Sequence, residues 1–94
     1  MRRLRIDSEI SRRLGGCGLS RGAVVRFLTS LRDDLEKDYQ VYRSSRHPED
    51  QRFFRYNLAV ADGPRTHRFF FIIDDSTSPD DLFIIDFKHE CDPD

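Results

Sequence analysis

The chain has 94 residues, of which 37% are hydrophobic and 35% are charged, and its formal net charge is −1. This length fits one domain, residues 1–94, and leaves little room for a large buried cofactor, so none is expected. The near-neutral charge argues against a protein that coats nucleic acid nonspecifically, because that binding depends on neutralising phosphates. The longest apolar run, Phe69–Ile73, is far shorter than the roughly 20 residues that cross a bilayer, so no membrane partner is expected.

The first residues and the cysteines indicate where such a protein works. No apolar segment of the kind found in export signals follows Met1. Cys17 and Cys91 form no CxxC pair and are too few for a disulfide framework, which favours two free thiols in a reducing compartment. We therefore expect a cytoplasmic protein.

Charge is distributed unevenly along the chain. Lys and Arg outnumber Asp and Glu by seven to two over residues 1–26 and by six to three over residues 43–73, whereas residues 74–94 carry one against eight. Two interpretations stay open: a local basic groove, or solvated faces with a frayed acidic tail.

The N-terminal third predicts a short strand and a short helix. Leu4 and Ile6 alternate with charged residues, which is typical of a strand with one buried face. Asp7 or Ser8 then caps a helix that runs through Leu14. Glycines that can adopt the left-handed conformation are expected to end it: Gly15, Gly16 and Gly18.

A longer helix is predicted after Ser20, a residue suited to the N-cap. Apolar residues recur at steps of three or four on one stripe: Val24, Leu28, Leu31, Leu35, Tyr39 and Tyr42. The opposite face carries polar residues: Arg26, Asp33, Glu36 and Lys37. We expect the stripe to be buried in the core or against a partner, and a homodimer formed through its tyrosine end is left open.

The rest of the chain predicts a loop and three strands. Residues 43–51 suggest a loop around Pro48, and the period then changes to two, with Phe54, Tyr56, Leu58 and Val60 on one face. A turn at residues 62–64 leads to a strand over Thr66–Asp74, and a second turn at residues 75–81 leads to a strand over Leu82–His89.

The last two strands are apolar on both parities, so they are predicted to lie in the centre of the sheet. Arg68 shares a parity with Phe70 and Ile72, and His89 with Phe83, Ile85 and Phe87, so their convergence depends on strand register. The predicted fold is α+β: two N-terminal helices, one short and one long, pack on a small antiparallel sheet in the order β-α-α-β-β-β.

The element order and the C-terminal residues resemble the RelE/ParE toxin superfamily. The run from His67 and Arg68 through a hydrophobic strand to Asp74 and Asp75 looks like the corresponding stretch of the YoeB-like branch. The ending Phe87-Lys88-His89-Glu90 is similar to that branch's closing basic residue, aromatic residue and histidine.

The resemblance implies the toxin of a toxin–antitoxin system, with a cognate antitoxin protein as partner and mRNA, with or without the ribosome, as target. Arg68 would take the place of the arginine that holds the scissile phosphate, and His89 that of the C-terminal catalytic histidine. Glu49 falls near the family's catalytic glutamate. ParE-like relatives instead bind DNA gyrase, so a non-enzymatic binding module is the alternative.

The residues themselves fit metal-independent RNA cleavage. Internal attack needs a base for the 2′-OH and an acid for the leaving oxygen, roles open to Glu49 and His89. Guanidinium groups match phosphate bidentately, and Arg68 could do so together with Arg52 or Arg55. The remaining candidates for substrate binding are Arg46, Tyr56 and Lys88. Either Phe53 or Tyr56 could stack a base.

Two other sites are weaker alternatives. Pro79-Asp80 and Asp86-Phe87-Lys88 form a short echo of the PD-(D/E)xK nuclease motif, in which carboxylates hold a divalent metal. His89 and Cys91 with His47 or His67 could ligate zinc, although no paired ligand spacing supports it.

Overall fold

The computed structural model describes residues 2–37 and 53–93, in which two helices pack on a four-stranded sheet. The elements are β1 (Arg3–Arg5), α1 (Ser8–Gly15), α2 (Arg21–Arg32), β2 (Phe53–Asp62), β3 (Arg65–Asp74) and β4 (Asp81–Pro93). One turn of π-helix, Asp33–Lys37, continues α2. The predicted α+β class and element order are confirmed, and the strands curl into a half-barrel. The expected loop over residues 43–51 lies outside the described residues, as do Tyr39 and Tyr42.

The sheet order is β1-β4-β3-β2, so β4 and β3 are the two inner strands, as predicted. The last three strands form an antiparallel meander, whereas β1 pairs with β4 in parallel. β4 continues four residues beyond the predicted end at His89, because residues 90–93 pair with β3. The acidic end of the chain is therefore part of the sheet up to Pro93 and is not a frayed tail.

Local hydrogen bonds begin both helices at the predicted residues. Asp7 Oδ1 accepts from the Ile10 backbone N–H at 2.8 Å, and Ser20 Oγ accepts from that of Ala23 at 3.3 Å. The expected left-handed end of α1 is wrong, since its C-cap Gly16 has φ −87°. The left-handed conformation occurs at Gly18 (φ 85°) and in the β2–β3 turn at Gly63 (φ 62°).

The buried stripe of α2 lies one residue away from the predicted one. Ala23 and Phe27 face the sheet, whereas Val24 and Leu28 are half-buried at the junction with α1. The helix carries two adjacent apolar columns, and the column that contains the large aromatic ring takes the sheet side. Leu31 and Leu35 are buried as expected.

Aromatic rings fill the space between α2 and the inner strands. The Phe27 ring centroid lies 4.6 Å from that of Phe69 and 6.0 Å from that of Phe71. Phe87 of β4 joins the group at 6.2 Å from Phe69 and 5.8 Å from Phe71. Burying each such ring contributes about 1.5–3 kcal/mol, so these contacts hold the helix layer on the sheet.

A β-bulge in β4 changes which alternate residues of this strand face the helices. Ile72 pairs with Asp86 and Ile73 with Ile84, which leaves Ile85 as the extra residue. Ile84 and Phe87, three residues apart, therefore both face the helices, while Ile85 is 41% exposed. The prediction that His89 shares a face with Phe83 and Ile85 is wrong for this reason.

We predict that Phe27→Ala lowers the free energy of unfolding by about 3–5 kcal/mol, because it leaves a cavity beside the rings of Phe69 and Phe71. Chemical denaturation measures the loss. Val25→Ala on the same helix, at a side chain 62% exposed, should change stability by at most about 0.5 kcal/mol. Equal losses in the two variants would contradict this packing.

Candidate functional site

The sheet has two faces with different chemistry. Its helix face carries the buried side chains of β2, β3 and β4. Its other face, called here the open face, carries the alternate residues, which are exposed or half-buried except for Asp74 at the end of β3. Strand pairing arranges the open face in three rows across β2, β3 and β4: Arg55, Ile72 and Asp86; Asn57, Phe70 and Lys88; Ala59, Arg68 and Glu90.

A depression of about 450 Å³ lies on the open face. Half-buried Phe70 and Ile72 form its floor, and the side chains at its rim are polar. A second depression of about 250 Å³ adjoins it along Asn57 and Phe70 and is bordered by Arg68. The two together form a shallow trough with an apolar floor and three cations, Arg55, Arg68 and Lys88, along it.

Carboxylates on β4 pair with two of these cations. Arg68 Nε lies 2.7 Å from Asp92 Oδ2, and Lys88 Nζ lies 3.3 Å from Glu90 Oε1. The hydrogen bond and charge of Asp92 raise the pKa of Arg68. Both pairs are exposed, so each stabilises the fold by at most about 1 kcal/mol and can open for a ligand. Arg55 makes no ion pair with another described residue.

The expected site residues are divided between the two faces. Arg55, Arg68 and Lys88 lie together on the open face. Tyr56 is 2% exposed on the helix face, where its hydroxyl donates to the Asp34 carboxylate, so its ring is not available to stack a base. His89 also lies on the helix face, so Arg68 and His89 do not converge. Three further candidates lie outside the described residues: Arg46, Glu49 and Arg52.

His89 belongs to a group on the helix face that we call the histidine cluster: His67, His89 and Cys91. His67 Nδ1 and His89 Nε2 are 2.9 Å apart, so the N–H of one ring donates a hydrogen bond to the nitrogen of the other. The rings stack at a centroid distance of 5.2 Å, and His89 also stacks on Phe69 at 4.8 Å. Cys91 Sγ lies 4.0 Å from His67 Nε2. His67 is 2% exposed, whereas Cys91 is exposed.

Burial lowers the pKa of His89, and the neighbouring His67 lowers it further. The cause is that a second imidazolium 2.9 Å away would repel the first in a partly dry site. The folded state therefore favours the neutral form of His89.

The residues of the PD-(D/E)xK alternative are spread over the structure, whereas three residues of the zinc alternative, His67, His89 and Cys91, lie together in the histidine cluster. Asp80 precedes β4 in the β3–β4 connection, while Asp86 and Lys88 lie on the open face. Within residues 2–37 and 53–93, no group of three or more His, Cys, Asp or Glu side chains is arranged to hold a metal ion. Neither metal site receives support from these residues. In the same part of the chain, no helix is long and apolar enough to cross a membrane.

Comparisons with protein-family models, with curated proteins and with solved structures find no match for this chain. The RelE/ParE resemblance and the roles it implies therefore stay predictions.

Sequence reasoning missed Phe70 as the floor of the trough and Asn57 at its rim, and it grouped His67 with His89 and Cys91 only as zinc ligands. Asn57 shares a parity with Arg55, and Phe70 with Arg68, so the period-two pattern could have found them. The pairing of His67 with His89 requires the bulge at Ile85, which no local pattern marks.

We predict that the free energy of unfolding falls as the pH decreases from 7 to 5. The folded-state pKa of His89 lies below its ordinary value of 6.5, so the unfolded chain binds this proton more readily. The contribution of His89 to the free energy of unfolding is thus full above about pH 6.5 and decreases as the pH falls below it.

Chemical denaturation across this range should show a smaller loss for His89→Gln than for the wild type. Asp62 does not affect this comparison, because hydrogen bonds from Ser20 lower its pKa from 3.8, which is already below this pH range. Identical pH slopes in the two proteins would contradict the lowered pKa of His89.

Proposed function

We propose that this chain is a RelE/ParE-like toxin domain that binds single-stranded RNA on its open face. One observation carries the proposal: Arg55, Arg68 and Lys88 surround Phe70 in one trough, although they come from three strands. Cations beside an aromatic ring are what unpaired RNA needs, since phosphates require positive charge and unstacked bases require a flat apolar partner.

Each group has a role suited to its chemistry. Arg68 presents a planar guanidinium that can hold one phosphate through two hydrogen bonds, exchanging Asp92 for the ligand. Arg55 and Lys88 flank the floor on opposite sides, so they would contact phosphates on either side of a base resting on Phe70. Adjacent strands are separated by about 4.8 Å, which places these cations within reach of successive nucleotides.

The reaction proposed on this face is metal-independent mRNA cleavage. Arg68 would stabilise charge on the scissile phosphate, and Glu49, outside the described residues, would act as the base. His89 faces the helices and so does not serve as the acid in this arrangement. Lys88 carries an ammonium group and lines the trough on the open face. We therefore assign the role of general acid to Lys88.

A second candidate function is binding of a protein, such as an antitoxin or DNA gyrase. The charge balance of the open face favours it, because the three cations are accompanied by three carboxylates: Asp86, Glu90 and Asp92. A mixed-charge rim around an apolar floor suits a protein surface, whereas a polyanion prefers uncompensated positive charge.

We predict that the double variant Arg55→Ala, Lys88→Ala binds a labelled single-stranded RNA about tenfold more weakly than the wild type, measured by fluorescence anisotropy. Because each lost phosphate contact removes about 0.7 from the slope of log affinity against log salt, the slope should also become shallower by about 1.4.

The matched control is Arg12→Ala, Arg21→Ala, which removes the same charge from exposed positions on the two helices. This variant should keep the wild-type affinity. If both double variants weaken binding equally, or if the wild type binds no RNA, the open face is not an RNA site.

We also predict growth arrest on induced expression, accompanied by new 5′ ends in mapped transcripts. Arg68→Ala should remove both effects, whereas folded His89→Gln should keep them because His89 is on the other face. Expression levels of the three proteins serve as the control. Arrest without new RNA ends would favour a protein target, and no arrest from well-expressed protein would remove the toxin proposal.

A further inference from the structure

The histidine cluster places a nucleophile, a base and a group that orients the base in one line. Cys91 Sγ is 4.0 Å from His67 Nε2, and the other nitrogen of that ring is 2.9 Å from His89 Nε2. Nucleophilic thiols are activated in this order: the thiol faces one imidazole nitrogen, and a third group holds the opposite nitrogen. None of these groups is used by the proposed open-face function.

His67 is a buried base aimed at an exposed thiol. With 2% of its surface exposed, it has no water shell to orient it, and in the described part of the chain Cys91 is the hydrogen-bonding neighbour of its Nε2. Stacking of His89 on both His67 and Phe69 fixes the ring plane. A contact of 4.0 Å is long for a resting hydrogen bond, as is common before a reactant is bound.

Charges near the thiol favour this assignment. The carboxylates on either side of Cys91 in sequence, Glu90 and Asp92, point to the open face and pair with Lys88 and Arg68. The carboxylate on the helix side is Asp62, which interacts electrostatically with His67 and accepts hydrogen bonds from Ser20. A negative group beside His67 stabilises the imidazolium that forms when the ring takes a proton.

We propose that Cys91 is a modification site that undergoes thiol–disulfide exchange with low-molecular-weight disulfides, with His67 as the base and His89 as a positioning residue. The Cys91 sulfur attacks one sulfur of the disulfide while its proton moves to His67 Nε2. The disulfide bond breaks, a mixed disulfide forms on Cys91, and the leaving thiolate takes the proton from His67. The Cys91 sulfur is oxidised and the released thiol is reduced, so no other reactant is needed.

Cys17 is an internal comparison within the same chain. Its thiol is half-buried and donates to the Arg13 carbonyl oxygen at 3.3 Å. A backbone carbonyl accepts this hydrogen bond but cannot take the proton as a base. Burial raises the pKa of Cys17, partly opposed by the charge of Arg13. The two cysteines should therefore differ in reactivity.

The test follows the reaction of 4,4′-dithiodipyridine with the Cys17→Ser protein, in which only Cys91 reacts, and with the Cys91→Ser protein. The rate of each protein thiol is divided by the rate of glutathione at the same pH. This ratio is then compared with the ratio for the same protein unfolded in urea. Native Cys91 should react about tenfold faster than in the unfolded chain, a modest share of what a positioned base can supply. Native Cys17 should react more slowly than in the unfolded chain.

The pH profile separates a base from a merely accessible thiol. The normalised rate of native Cys91 should fall as the histidine cluster gains a proton in acid. His89→Gln, in the Cys17→Ser background, should slow the reaction severalfold and change the pH profile, because His67 then loses the imidazole that stacks on its ring and bonds its Nδ1. Arg3→Gln is the control and should leave the profile unchanged, because Arg3 is exposed on β1 and pairs with Asp81 at the opposite end of β4 from Cys91.

His67→Ala removes a buried ring and is informative only if circular dichroism shows a native fold. The wild-type pH profile and His89→Gln decide the question without it. A native Cys91 that reacts no faster than in the unfolded chain, or a profile that His89→Gln leaves unchanged, would overturn the assignment.

Discussion

The β-bulge at Ile85 is the constraint on which both sites depend. Before it, Leu82 and Ile84 face the helices, and after it Phe87, His89 and Cys91 do so. Without the extra residue, the alternation of β4 would place His89 and Cys91 on the open face and Lys88 in the core. The bulge thus completes the aromatic core with Phe87, brings His89 to His67, and delivers Lys88 to the trough beside Phe70.

The balance of charge on the open face governs which ligand it takes. Arg68 and Lys88 are each held by a β4 carboxylate, so a phosphate must displace an existing partner, whereas Arg55 has no carboxylate partner among the described residues. Exposed pairs contribute at most about 1 kcal/mol, so a ligand with several phosphates can displace them. An isolated anion would gain less from displacing them than a ligand that also fills the apolar floor.

The features that could be predicted from the sequence are those whose interacting residues lie close together along the chain. The caps at Asp7 and Ser20 and the glycine turn at residue 63 use neighbours in sequence, and local patterns found them. The stripe of α2 was placed one residue away because two apolar columns compete, and tertiary contact with Phe69 and Phe71 decides between them. The chemistry of the side chains singled out Arg55, Arg68 and Lys88 as candidates for substrate binding. The face on which His89 lies depends on the bulge. An apolar run such as Leu82–Ile85 does not mark which of its residues is the extra one.

The two sites share strands but are chemically separate. Each residue pair along β3 and β4 alternates between them: Phe69 and His89 face the helices, while Arg68 and Glu90 face outward. A change on one face therefore leaves the side chains of the other in place but can act through the shared backbone. Cys91 is exposed, so an adduct on its sulfur would lie beside the strand segment whose outward neighbours, Glu90 and Asp92, hold the cations of the trough. Under the two proposals, modification of the thiol would reach the ion pairs of the open face only through the backbone that both faces share.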